Sequence, residues 1–82
     1  MRKGIQEAQD RYAEKRRKEA ADLVLRAREE GGSKRKANLL KALEILEETN
    51  RRYPNNRYAA KIQQNIQDLM AQIRAIDPGF RN

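Results

Sequence analysis

The chain has 82 residues, of which 38 % are charged and 38 % hydrophobic, with a formal charge of +7; this allows one small domain. Only fifteen residues are Leu, Ile, Val or Phe, so the core is thin, close to a single seam between helices. With no Cys, His or Trp, one Ser and one Thr, the sequence excludes disulfides, thiolate or imidazole metal sites, cysteine nucleophiles and histidine acid–base chemistry.

The first stretch predicts a helix over about 5–30. From Ala20 to Ala27 it offers Ala20, Leu23, Val24 and Ala27 as a docking face. From Met1 to Glu19 it carries eleven charges, with Ile5 and Tyr12 as the large non-terminal apolar residues. So sparse an apolar content predicts an N-terminal half that projects or frays and adds little to folding. Gly31-Gly32-Ser33 ends this helix: glycine tolerates a left-handed stop, and Ser33 is placed to cap the next start.

The second helix is expected over 34–53. Leu39, Leu43, Leu46 and Tyr53 line one face, broadened by Leu40, Ala42 and Ile45. Tyr53-Pro54-Asn55-Asn56 breaks it, because proline disfavours helix in the residue before it and either Asn can cap a new start. The third helix, 56–76, has the clearest period. Ala59, Ile62, Ile66, Leu69, Ile73 and Ile76 recur at steps of 3, 4, 3, 4 and 3, which is heptad-like spacing. A short turn between two such helices makes them antiparallel neighbours. Asp77-Pro78-Gly79 closes the pattern. The predicted fold is all-α, an antiparallel three-helix bundle or helical hairpin with an extended first helix, forming one domain over 1–82.

Ala42-Leu43, Leu46, Tyr53-Pro54-Asn55-Asn56, Tyr58-Ala59 and Ile76-Asp77-Pro78 together resemble tetratricopeptide-like helical repeats, over about residues 37–78. Ala42, Leu46 and Pro54 stand at the offsets of a repeat's second helix and its closing proline. The chain departs from that pattern upstream, where Arg26, Glu29 and Glu30 occupy positions for a large aromatic, a Leu and a Gly. Pro54 to Pro78 is also 24 residues, against ~34 in a repeat. A looser similarity links the chain to three-helix microtubule-interacting-and-trafficking domains. Both resemblances imply helical protein–protein recognition.

Carboxylates are mostly committed to helix-stabilising pairs. Glu7–Arg11, Glu14–Lys18, Asp22–Arg26, Glu47–Arg51 and Glu48–Arg52 are acid-first pairs at i,i+4, each contributing about 0.2–0.5 kcal/mol. Di-iron bundles need Glu-x-x-His motifs, and there is no His. No catalytic residue, metal or cofactor is expected.

The basic residues carry more signal. Folding the first two helices back on each other about Gly32 brings residue 15 near 49 and residue 11 near 53. Lys15, Arg16, Arg51, Arg52, Arg57 and Lys61 then gather with Arg11 at the Pro54 end, as a candidate anion- or partner-binding pole. Lys34, Arg35 and Lys36 form a second cluster at the opposite end. Cations at the helix starts 34–36 and 57–61 oppose the helix dipole, while free backbone N–H groups there favour an anion. Tyr53 and Tyr58 flank the proline turn and could stack on bases, although turn packing is the more usual role of such residues.

Leu25, Leu40, Ile45 and Met70 fall off the main seams, which suggests apolar surface left over for a partner. The expected function is therefore a non-enzymatic interaction module that binds another protein, or itself, through helix faces. The alternative is a nucleic-acid-binding accessory protein acting through phosphate contacts, and an acidic protein segment is a third possible ligand. The longest strongly apolar run is Leu23-Val24-Leu25, so no membrane span is expected. A cytoplasmic setting is the default, with an envelope protein or a piece of a longer chain left open.

Overall fold

A computed structural model describes residues 2–81, with side chains from residue 4 onward. Three helices follow one another: α1 (Arg2–Glu29), α2 (Gly32–Arg52) and α3 (Ala59–Ile76). They form an antiparallel three-helix bundle with no strand among the described residues. α2 is central, and α1 and α3 pack chiefly on it rather than on each other. The Cα trace accordingly fills a slab of 47 × 26 × 14 Å, little thicker than one helix with its side chains.

Alanine sets the α1–α2 seam. Ala13, Ala20 and Ala27 are 0, 3 and 1 % exposed and stand seven residues apart, so they share one face. They meet a core built from Leu39, Ala42, Leu43 and Leu46 of α2 and Ile62, Ile66, Leu69 and Ile73 of α3. The heptad face of α3 is buried as its spacing predicts, except at its ends, where Ala59 is half-buried and Ile76 exposed. Leu40, Ile45 and Met70 are not surplus: all three lie partly buried against the core, and only Leu25 of that set stays exposed, at 55 %.

The N-terminal half of α1 differs from its sequence expectation. Helix runs back to Arg2, and residues 4–8 are exposed as predicted. From there to Glu19, however, the helix is docked. Ala13 is fully buried, and the Tyr12 hydroxyl donates to Glu48 Oε2 at 2.9 Å. The Tyr12 ring meets Tyr53 edge-on at 5.3 Å between centroids. A count of large aliphatic residues overlooks this anchoring, because it is made of alanine, tyrosine and the stems of arginine.

Both turns are more specific than their punctuation suggests. Gly32 has φ +61° and begins α2, after an N-cap at Gly31 with no side-chain hydrogen bond. Ser33 therefore lies inside the first turn and is not the cap. Instead, Arg35 reaches back from α2 to the end of α1, donating Nε to the carbonyls of Ala27 and Glu30, both at 3.0 Å. That satisfies carbonyls which a helix end leaves without partners.

At the second turn α3 begins at Ala59, three residues after its predicted start, because residues 54–58 belong to the turn. Buried Asn56 organises it. Its Nδ2 donates to Asn50 Oδ1 and to the Tyr53 carbonyl, and its Oδ1 accepts from the Tyr58 amide at 2.8 Å. Asn50 completes the lock by donating to the Ala59 carbonyl.

Beyond α3 the chain folds back on the bundle. Phe80 packs against the core, Lys36 holds Asp77 at 2.8 Å, and Arg81 makes a two-pronged contact to Glu47 at 2.6 and 2.8 Å. Glu47 is thus drawn away from the expected pairing with Arg51.

The two glycines of the first turn give a direct test. Nothing lies within 4 Å of a Cβ built on either one, but only Gly32 is left-handed. Gly32→Ala should cost about 1 kcal/mol through backbone strain alone. Gly31→Ala, with ordinary extended backbone, should be neutral or slightly stabilising. Urea melts of the two variants check this difference.

Candidate docking groove and basic pole

Because α1 and α3 both lean on α2, they separate along most of their length. At the Pro54 end α1 instead meets the turn that leads into α3. There, Arg17 stacks over Tyr58 at 5.0 Å, Asp10 Oδ1 accepts from the Arg57 amide at 2.8 Å, and Gln6 Nε2 donates to the Asn55 carbonyl at 3.2 Å. Past this closure a groove of about 540 Å³ opens between the two helices. Ala20, Leu46 and Leu69 form its floor, and Ala21, Val24 and Tyr58 its walls. Exposed Leu25 stands at its edge. A second hollow of about 330 Å³ continues it toward the Gly32 end, sharing Val24, Arg28 and Gln72 and adding Leu39 and Ile76.

The charged residues on the groove are unevenly divided. α1 contributes Arg17, Lys18, Arg28 and one acid, Glu14, whereas α3 contributes Asn65, Gln72 and Asp68. The sequence signal for the groove is a second stripe beside the alanine seam: Arg17, Ala21, Val24 and Arg28 share a helix face at i, i+4, i+7 and i+11. Leu25 alone had pointed toward it.

The predicted basic pole is brought together only in part. Arg16 and Arg52 both lie over the Tyr12 ring, at 5.9 and 5.3 Å, and Arg52 also lies over Tyr53 at 5.5 Å. Arg57 joins Arg17 around Tyr58, at 5.7 Å from that ring. Arg51 is exposed, within the field of Glu47. Lys15 is exposed and sits about 200° around α1 from buried Ala13, so it points away from the core. Lys61 is exposed on the stripe that also carries Asn65 and Asp68, beside the groove.

Acids are interleaved here. Glu7, Asp10 and Glu14 share a hollow with Arg57, Arg16 pairs with Glu19, and Glu48 lies 3.8 Å from Arg52. The turn leading into α3 already has acceptors for two amides, Asp10 for that of Arg57 and Asn56 for that of Tyr58.

The second cluster is divided among separate tasks. Arg35 caps α1, Lys36 bridges to Asp77, and Lys34 is exposed. The Lys36 ammonium holds the Asp77 carboxyl below its ordinary range, and hydrogen bonds from Arg81 do the same for Glu47. Among the described residues no cluster of three or more acids could hold a metal ion, and no helix is long and apolar enough to cross a membrane.

No protein-family model, curated protein or solved structure matches this chain.

Tyr12 gives the pole a measurable signature. Burial first, and then its hydrogen bond to Glu48, raise the phenol above its usual pKa. As pH climbs past about 10, the unfolded chain loses the phenolic proton before the folded one does, so Tyr12 withdraws stability there. Tyr12→Phe should cost about 0.5–1.5 kcal/mol at neutral pH by removing one hydrogen bond while keeping the ring contact. The gap to the parent should narrow above about pH 10. Thermal melts across that range check both statements.

Proposed function

We propose that this chain is a non-enzymatic protein–protein interaction module, and that it holds a partner's helix in the groove between α1 and α3. The observation that carries this is the groove itself: an apolar trough walled by two helices that both rest on a third. An amphipathic helix binds such a trough by laying its own apolar stripe along the floor. α3 spans 18 residues, about 27 Å at 1.5 Å per residue, which gives room for several turns of a partner. The resemblance to tetratricopeptide-like repeats supports the same class of function. The partner is a separate protein or a second copy of this chain, and a cytoplasmic setting is the default.

Phosphate contacts at the Pro54 pole are the second reading, favoured by Arg16 and Arg52 stacked on Tyr12. It ranks lower because Asp10, Glu19 and Glu48 are interleaved with those cations.

Ala21 lines the groove yet is exposed, so Ala21→Trp fills the trough without entering the core. Pull-downs from native lysate, with nuclease and mock arms, should show a retained protein that Ala21→Trp reduces about tenfold or more and nuclease leaves unchanged. Retention that persists in folded Ala21→Trp would place the partner elsewhere. Retention lost only on nuclease treatment would favour the phosphate reading.

A further inference from the structure

We infer that the groove selects an acidic amphipathic helix whose carboxylates stand about three turns apart on one flank, where they meet Arg17 and Arg28. The inference rests on the docking reading above and adds the chemistry of the occupant.

Arg17 and Arg28 are eleven residues apart on α1 and both line the groove. Eleven residues are close to three full turns, so the two side chains leave the helix on the same side, about 16 Å apart along its axis. Ala21 and Val24 lie between them on the same stripe. The α1 wall thus reads cation, apolar, apolar, cation.

Neither arginine is neutralised. Arg17 is held by the Tyr58 ring at 5.0 Å, and its Nε is buried without an acceptor. Stacking occupies the face of a guanidinium, and with Nε buried it is the terminal N–H groups of Arg17 that remain to meet a carboxylate. Arg28 accepts a hydrogen bond through its backbone carbonyl, but its side chain meets no carboxylate among the described residues. Of the two acids on the groove, Glu14 lies 3.8 Å from Lys18. Asp68 stands on the opposite wall with Asn65 and Gln72.

That asymmetry fixes polarity as well as charge. A helix with carboxylates toward α1 finds two unpaired guanidinium groups. The same helix reversed end for end, its apolar stripe still on the floor, would bring its acids against Asp68 and two amides. A basic occupant meets repulsion along α1, and the chain's net charge of +7 further steers acidic partners toward the molecule.

The test uses three 18-residue helical peptides, each matching α3 in length and sharing one leucine stripe. The first carries two Glu eleven residues apart on one flank, the second carries Lys at those positions, and the third carries two Glu on opposite flanks. Binding to the full chain is read by fluorescence anisotropy at low salt. The first peptide should bind about tenfold tighter than the second, as expected for two partly desolvated pairs. Arg17→Gln with Arg28→Gln, shown folded by circular dichroism, should shrink that ratio to about twofold or less while binding through the leucine stripe persists. The third peptide should fall between the other two. Equal binding of all three, abolished by Ala21→Trp, would overturn the acidic preference and leave the docking groove standing. Failure of every peptide to bind would remove both.

Discussion

Ala13, Ala20 and Ala27 let the backbone of α1 lie close against α2, and the position of nearly everything else follows from that approach. Alanine buries little area, about 25 cal/mol for each Å² removed from water, so the seam cannot be stabilised by its own floor alone. Larger groups close over its edges. Tyr12 bonds to Glu48 on one side, and Leu23, Val24 and Ile45 pack partly buried against the core. A helix seated this closely on α2 leaves its next face, Arg17–Ala21–Val24–Arg28, standing over open space instead of against α3. The groove lies between two unlike seams, since α3 brings four large aliphatic residues to the core where α1 brings three alanines.

The charge of +7 is similarly shaped by packing. Several arginines act here as flat apolar surfaces and as hydrogen-bond donors. Arg16 and Arg52 cover Tyr12, Arg57 and Arg17 flank Tyr58, Arg35 caps α1, and Arg81 pins the returning C-terminal segment to Glu47. Guanidinium suits this work because it stacks, forks to carboxylates and is weakly hydrated. A basic composition therefore need not mean a phosphate-binding surface. The cations that escape such duties along the groove, Arg17 through its terminal N–H groups and Arg28 entirely, give the unassigned part of the charge a definite address.

How much of this was legible beforehand depends on the range of the interaction involved. The α3 seam could be read from Ile62, Ile66, Leu69 and Ile73, because burial on one helix face imposes its period on the sequence. Gly32 and Pro54 announced both turns through backbone preference, and three acid-first pairs formed as spaced: Glu7–Arg11, Glu14–Lys18 and Glu48–Arg52. What stayed hidden was long-range. Nothing local marks Arg35 as the cap of a helix that ended before it, Asp10 as the acceptor for the amide of Arg57, or Phe80 as packing on the core after a stop signal. The start of α3 shifted because Asn56 spends its side chain on the turn. The docking of α1 is hidden for a further reason. Its anchors belong to residue types that ordinarily report helix propensity or solubility, so a count of large apolar residues passes over them.

Native-state amide hydrogen exchange along α1 tests the close seam most directly, since it reads the docking of each turn without altering a side chain. The seam predicts that amides from Tyr12 to Ala27 exchange as slowly as those of central α2, with fast exchange confined to the exposed turn before Gln9. Exchange over residues 12–19 at the rate of an unstructured chain, with α2 and α3 still protected, would contradict it. α1 would then be anchored only by its C-terminal half, and the upper part of the groove, with Arg17 at its end, would not exist as a formed site.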